Sequence, residues 1–231
     1  MWWRSLIGEI WAGIQIFLFR QPRTSEPPTL LSAMGAEPRI PVVLVHGFLC
    51  NHRIWDDVAL ALRRQGHAVF AVNLEPIFGS IENYPSTVEA AVQALRNHTG
   101  REQVALVGHS MGGLAIRAWM RDFGSKHAAC VITLGTPHWG TQAFMPVPTA
   151  NSMQMQWKSD WLNALDASEN PSVRQIMRIA LTPQDNIVFP QRTQTMDGVT
   201  PVVFEGIGHL QMCTSPQVIA WVAQELYHCE H

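Results

Sequence analysis

The chain carries little charge and does not concentrate it. Asp, Glu, Lys and Arg make up only 15% of its 231 residues, the formal net charge is −2, and no long basic run occurs. The electrostatic footprint that nucleic acid demands is missing, so no nucleic-acid partner is expected. So few charges also leave apolar surface to face a partner, a lipid or a substrate. Metal-type cysteine spacing is lacking too: Cys50, Cys130, Cys213 and Cys229 form no C-x-x-C pair, which argues against a structural zinc site. Structural thiols are expected, with Cys130 a small hydrophobe in an apolar run and a Cys213–Cys229 bridge as the alternative. No internal repeat or low-complexity tract is present, which argues against tandem-array architectures. What remains is 47% hydrophobic and rich in tryptophan. That composition excludes wholesale disorder, and the length suits one large domain.

A membrane-spanning run is also absent. The opening stretch MWWRSLIGEIWAGIQIFLFR is apolar and helix-compatible, but a spanning helix needs about 20 apolar residues. The run from Leu6 to Phe19 is shorter and has Glu9 and Gln15 inside it. Each Leu, Ile or Phe contributes roughly −0.3 to −0.6 kcal/mol to insertion and one acid opposes it by about 3 kcal/mol, so the balance is near zero. No small-residue cleavage site follows the run, which argues against a signal peptide. The expectation is an interfacial helix over residues 1–22, with Trp2, Trp3 and Trp11 at the headgroup level and membrane association through residues 1–20. The alternative is a helix docked on the protein's own surface. The proline-studded stretch 23–39 reads as a linker suited to a tether.

From Pro41 the pattern becomes regular. PVVLV is a short continuous apolar run, as expected of a strand buried on both faces. IWDDVALALRRQGH then reads as a helix, with Ile54, Val58, Leu60 and Leu62 apolar and Gly66 at its end. HAVFAVNL is a second strand. NYPSTVEAAVQALRNHTG is a second helix, capped by Ser86 or Thr87 and closed by Gly100. QVALVG, AACVITLG, IMRIAL and PVVFEG supply further strands, and GLAIRAWMRDFG and SPQVIAWVAQELYH further helices. Such alternation implies an α/β fold with a mostly parallel sheet and helices on both faces. Chemistry in these sheets sits at the carboxyl ends of the strands, where HGF, GHSMG, GTPHWGT, PQD and GHL all fall. The alternation lapses between 139 and 172, in a stretch rich in Met, Trp and Gln. A lid, cap or binding loop is expected there, and a small helix covering a sheet edge is the alternative.

GHSMG matches the G-x-S-x-G turn, in which a strand passes at once into a helix and presents a serine. Gly108 and Gly112 would remove side chains that collide in so tight a turn. Ser110 is therefore the candidate nucleophile. It needs a base, and the base needs a partner to fix its tautomer. His209 lies just past the last strand and follows in the order Ser, acid, His, so it is the candidate base. Asp185, just past the fifth strand, is the candidate acid. Glu205 is the runner-up but still lies in its strand, and Asp197 belongs to a turn with Gly198. The backbone N–H groups of Met111 and Phe48 are the candidate oxyanion donors, with Gly47 letting the chain turn beside them. His46 and His109 adjoin these turns and read as structural or pocket-lining, and His138 and Trp139 are further pocket candidates.

With VLVHGF, VGHSMGG, TLGTPHWGT, an acid loop QDNIV and GIGHL in this order, residues 40 to 228 resemble an α/β-hydrolase of the bacterial lipase type. The resemblance implies ester hydrolysis with Ser110, Asp185 and His209 as a triad and Phe48 and Met111 as the oxyanion hole. The family's first strands are lacking, so about six strands are expected in a hydrolase domain over 40–231. No aspartate pair suits the calcium site of the larger lipases, so neither metal nor cofactor is expected. Trp139 stands where many relatives carry a small or charged residue. The expected substrate is a lipid-like or acyl ester. Acyl transfer, thioester or amide cleavage on the same triad, or a membrane-tethered binding module without chemistry, are the rivals. The expected location is membrane-associated, at an inner membrane with the hydrolase domain on the cytoplasmic side, or else cytoplasmic.

Overall fold

The computed structural model describes residues 2–21, 27–35, 37–143 and 148–230, without the side chains of Trp2 and Arg4. The headgroup role expected of Trp2, part of the 23–39 linker and residues 144–147 of the insertion thus lie outside the described residues.

Seven strands form one sheet: β1 (Leu30–Leu31), β2 (Arg39–Val45), β3 (His67–Ala71), β4 (Val104–His109), β5 (Ala128–Leu134), β6 (Met177–Leu181) and β7 (Val202–Val203), in the order β1-β3-β2-β4-β5-β6-β7. All neighbours run parallel except β1, which pairs antiparallel with β3 through Leu30–Phe70 and Leu31–Val69. Among the described residues there is one strand beyond the expected six, and it comes from the segment expected to be a linker. Strand periodicity splits the core into two layers. Val43, Val45, Leu106 and Val131 face α3 (Pro85–Thr99) and α4 (Met111–Phe123). Val42, Leu44, Val107 and Ile132 face α2 (Asp56–Arg64) and α7 (Pro216–Glu230). Helix α2 turns Val58 and Leu62 inward, whereas Leu60 points to the opposite side and is 41% exposed. Helix α3 begins with Pro85 at its first turn after Tyr84 rather than at a Ser86 or Thr87 cap. The proline ring already holds the helical φ and leaves unused an N–H that has no partner there. Strand β7 is a two-residue edge, and Val202 and Val203 are both exposed.

The opening helix α1 (Trp2–Gly13) continues as a π-helical segment over Ile14–Arg20. It is docked on the domain rather than held apart. Ala12 and Ile16 are buried with the α2–α7 layer, and Arg20 pairs with Asp57 of α2 at 2.8 Å. Trp3 and Trp11 point outward. Among the described residues, no helix is long and apolar enough to cross a membrane. The 139–172 insertion contributes α5 (Ala150–Gln154) and α6 (Asp160–Ser168). Leu162 and Leu165 of α6 are fully buried. The buried Arg117 of α4 reaches Glu169 at 2.5 Å and Asp166 at 3.5 Å, and donates to the His138 carbonyl at 3.1 Å. A buried guanidinium needs such partners, so it fastens the insertion to the helix behind Ser110.

Cys130 of β5 bonds Cys229 of α7 across 99 residues, which corrects the expectation of a free, buried Cys130 and the alternative Cys213–Cys229 pairing. Sequence spacing could not choose between partners, because the fold alone brings the end of α7 back over β5. Cys50 and Cys213 are buried and free, and burial pushes the Cys50 thiol up to about 12. Denatured without reductant, the chain should titrate as two thiols, and as four after reduction. Replacing Cys229 by Ser should lower unfolding free energy by at most about 4.7 kcal/mol, the chain-entropy value for a ~100-residue loop. Thiol titration and denaturant melts check both.

Candidate active site

The β4–α4 turn is built by close approach. A side-chain carbon on Gly108 would lie 2.6 Å from the Gly113 nitrogen, and one on Gly112 would lie 2.7 Å from the His46 carbonyl oxygen. Only glycine lets α4 start this close to the ends of β2 and β4. Between them Ser110 sits at φ 53° and ψ −125°, a conformation that costs a non-glycine residue about 1–3 kcal/mol and is held only where surrounding packing fixes it. Its N–H donates to the Leu134 carbonyl of β5 at 2.9 Å. Ser110 is buried yet lines a cavity of about 460 Å³ together with Phe48, Met155, Trp157, Ile187 and Val188. Gly47 packs directly against it, since a side-chain carbon there would lie 2.8 Å from the Ser110 Cβ. Met111 opens α4, where first-turn N–H groups have no intrahelical acceptor, and Phe48 follows Gly47 at the cavity wall.

Asp185 and His209 form a buried pair. His209 Nδ1–H donates to Asp185 Oδ2 at 2.6 Å, and both side chains are buried. Asp185 Oδ1 also accepts the N–H groups of Ile187 at 2.9 Å and Val188 at 2.7 Å, and Oδ2 accepts Gln194 Nε2–H at 3.0 Å. Gln194 is fully buried and bonds the Val188 carbonyl as well. Sequence reading missed it, since one glutamine nine residues past an acid carries no pattern. The His209 ring lies against Gly135 at the end of β5, next to the carbonyl that holds Ser110. Glu205 and Asp197 are exposed and take no part in this cluster.

The other expected pocket residues do not line the cavity. His46 donates from Nδ1 to the Gly47 carbonyl and accepts the Leu74 N–H at Nε2, tying the turn after β2 to the segment after β3. Burial pushes its pKa down to about 4, the Gly47 bond opposing and His52 adding to the fall. His109 donates from Nε2 to the His209 carbonyl at 3.0 Å and packs against that ring at 4.6 Å. Burial, then the neighbouring His209 charge, hold it well below the usual histidine range. His138 bonds Thr133 Oγ1, and burial with Arg117 nearby keeps it well below that range too. Trp139 is half-buried, its N–H held by the Thr193 carbonyl. The tryptophan at the cavity is Trp157. Residues flanking strand ends were natural pocket candidates, but these three imidazoles turn inward to brace the rim. Among the described residues, no three His, Cys, Asp or Glu side chains are grouped to hold a metal ion.

A strained serine at a strand–helix turn and a buried Asp–His pair at neighbouring strand ends define a particular family geometry. A family model described as alpha/beta hydrolase fold matches residues 40–175. The chain belongs to the α/β-hydrolase family. Within it, the chain is similar to a triacylglycerol lipase of Burkholderia plantarii, 31% identical over 127 residues, covering 51% of this chain and 35% of that protein. It is also similar to Methylesterase 3 of Arabidopsis thaliana, 30% identical over 145 residues, covering 56% and 52%. The chain thus spans between 35% and 52% of the length of these two relatives. Mature lipase BlEst2 of Bacillus licheniformis shares the fold, with TM-score 0.74 and 16% identity over 87% of this chain and 99% of that one.

Opposing effects set the charge on His209. Burial pulls its pKa down, but the charge and hydrogen bond of Asp185, with Glu9 adding, outweigh burial and raise it. NMR titration of the imidazoles should therefore find His209 protonating above pH 6.5, the ordinary histidine value. Asp185→Asn should lower that value, while His46 should stay neutral until about pH 4.

Proposed function

We propose that this α/β-hydrolase cleaves carboxylic esters of apolar acyl groups through a covalent acyl-enzyme. The observations that support the reading best are a strained Ser110 that opens into an apolar cavity and a buried His209–Asp185 pair whose imidazole lies against Gly135, next to the Leu134 carbonyl that holds the Ser110 N–H. In this reading His209 Nε2 takes the Ser110 proton as Oγ attacks the acyl carbonyl. The Nδ1–H bond to Asp185 fixes the tautomer and stabilises the imidazolium that forms. The N–H groups of Met111 and Phe48 hold the oxyanion. The ester C–O bond then breaks, and His209 returns the proton to the departing alcohol. Water, deprotonated in turn by His209, attacks the acyl carbonyl, and the acid leaves with Ser110 regenerated. Met155, Trp157, Ile187 and Val188 give the acyl group apolar contacts, and a cavity of this size lies within the range of small-molecule sites.

The reading extends to a lipid surface as the place where substrate is met. Ser5, Glu9, Ala12 and Ile16 of the opening helix are buried, while Trp3, Leu6, Ile7, Ile10 and Trp11 are exposed. The outward face is thus the apolar one, the reverse of an ordinary surface helix. Trp3 and Leu6 share a small pocket of about 230 Å³ with Gln184 and Asn186, and the next residue, Ile187, lines the main cavity.

Ser110→Ala should reduce kcat on p-nitrophenyl esters by about 10⁶-fold. The rate of the unchanged enzyme should rise with acyl length from two carbons upward. Retained activity in Ser110→Ala would refute the nucleophile, and product analysis with a competing alcohol separates transfer from hydrolysis. The protein should sediment with phosphatidylcholine vesicles. Joint replacement of Trp3, Ile7 and Trp11 by Ser should weaken that binding by at least about tenfold, since each exposed large apolar group adds about 1.5–3 kcal/mol when buried. Hydrolysis of a soluble short-chain ester should not change in that variant. Unchanged vesicle binding would refute the lipid-facing role.

A further inference from the structure

Glu9 is the acid that interrupts the apolar opening helix, and the helix turns it inward. It is buried, and its carboxylate accepts the Leu210 N–H at Oε1 (2.9 Å) and the Gln211 N–H at Oε2 (3.0 Å). These are the two residues directly after His209. The neighbouring Gly8 lies flat against Gln211, for a side-chain carbon there would sit 2.5 Å from the Gln211 Oε1. Gln211 Oε1 in turn accepts the Gly208 N–H at 3.2 Å. The His209 carbonyl is held by His109 and its ring by Asp185. Every flank of the loop that carries the imidazole is thus tied down, and the contacts after His209 come from a helix about 200 residues away in sequence.

We propose that Glu9 is a positioning residue for His209, its carboxylate fixing the imidazole-bearing loop and placing a negative charge behind the imidazolium. The proposal rests on the reading of Ser110, His209 and Asp185 as a triad. The two N–H donors go to different oxygens of Glu9, and in an amide one of those positions becomes an NH2 group that cannot accept. A carboxylate this deep would be costly if its only task were packing. The charged and titratable groups facing His209 are Asp185 from the loop after β6, Glu9 from α1 and His109 from the end of β4. Burial, with Cys50 and Glu9 adding and Arg20 opposing, holds the Cys213 thiol beyond the loop well above its usual range, so it stays neutral. Glu9 raises the pKa of His209. Burial raises the pKa of Glu9 itself, the Leu210 and Gln211 N–H groups and His209 oppose that, and Asp185 adds to the rise. A base must be neutral to work, so activity falls as pH drops through the pKa of His209. Removing the Glu9 charge moves that fall to lower pH.

The test uses the full chain as E9Q and E9D, alone and in the Ser110→Ala background, with thermal melts confirming the fold. Hydrolysis of p-nitrophenyl butyrate is followed from pH 5 to 9. The His209 imidazole is titrated by NMR, its resonance identified by its loss in His209→Asn. E9Q should lower kcat by about 10- to 100-fold, the scale on which misplacement by about 1 Å acts. KM should stay within twofold, and both the acidic limb and the His209 titration should move to lower pH. E9D keeps the charge but falls short of the loop, so kcat should drop with the limb nearly unmoved. A folded E9Q with unchanged kcat, limb and titration would overturn the proposal. Where E9Q does not fold, E9D decides it: a lower kcat with the limb in place supports the proposal, and an unchanged kcat overturns it. Should Ser110→Ala keep its activity, the triad reading fails. The NMR comparison still decides the link, a downward shift in E9Q sustaining it and none overturning it.

Discussion

Asp185 is a carboxylate with no exposed side-chain surface, and the rim of the site is arranged around satisfying it. An unpaired charge in that position would cost several kcal/mol. Its oxygens accept four hydrogen bonds instead, from Ile187, Val188, Gln194 and His209. To supply the first two, the chain must wrap back on itself at once, which carries Ile187 and Val188 into the cavity wall. To supply the third, Gln194 must be fully buried, which pins the next stretch of chain. Only the fourth bond reaches the imidazole. A single electrostatic requirement therefore shapes the Asp185 loop, one wall of the cavity and the orientation of the His209 imidazole.

The serine depends on sterics rather than charge. Its backbone is held in an unfavourable conformation by the packing of two glycine-lined turns, and the Leu134 carbonyl fixes its N–H. The three buried histidines beside it serve the same end. His46, His109 and His138 each bond a neighbouring backbone or hydroxyl group, and burial keeps all three neutral. Of these four histidines, His209 is the one at which carboxylate charge outweighs burial and raises the pKa. His109 and His209, with ring centroids 4.6 Å apart, thus meet opposite electrostatic fates, decided by which partner lies opposite.

How much of this could be read from the sequence follows the range of the interactions. The alternation of elements, the turn at Ser110 and the positions of Asp185 and His209 just past strand ends are local patterns, and the structure brings the Asp185–His209 pair together. The pairing of Leu30–Leu31 with β3, the Cys130–Cys229 bond and the contacts of Glu9 join segments from about 40 to 200 residues apart and leave no periodic trace. Polar type misled as well as distance. Glu9 weighed in the sequence as an obstacle to membrane insertion, while the fold gives it two backbone donors. Trp139, next to a motif, drew attention that belonged to Trp157, eighteen residues on in a stretch without a pattern.

The Cys130–Cys229 bond has a topological consequence. It closes a covalent ring that contains Asp185, His209 and the 139–172 insertion but leaves Ser110 outside. A protease that cuts the ring once, at a surface loop of the insertion for instance, opens it without releasing a fragment. The two ends stay joined through sulfur and through the sheet. Reduction removes that safeguard, so the same nick would let a piece bearing both Asp185 and His209 separate from Ser110. Retention of the clipped piece is therefore tied to the redox poise of the protein's surroundings.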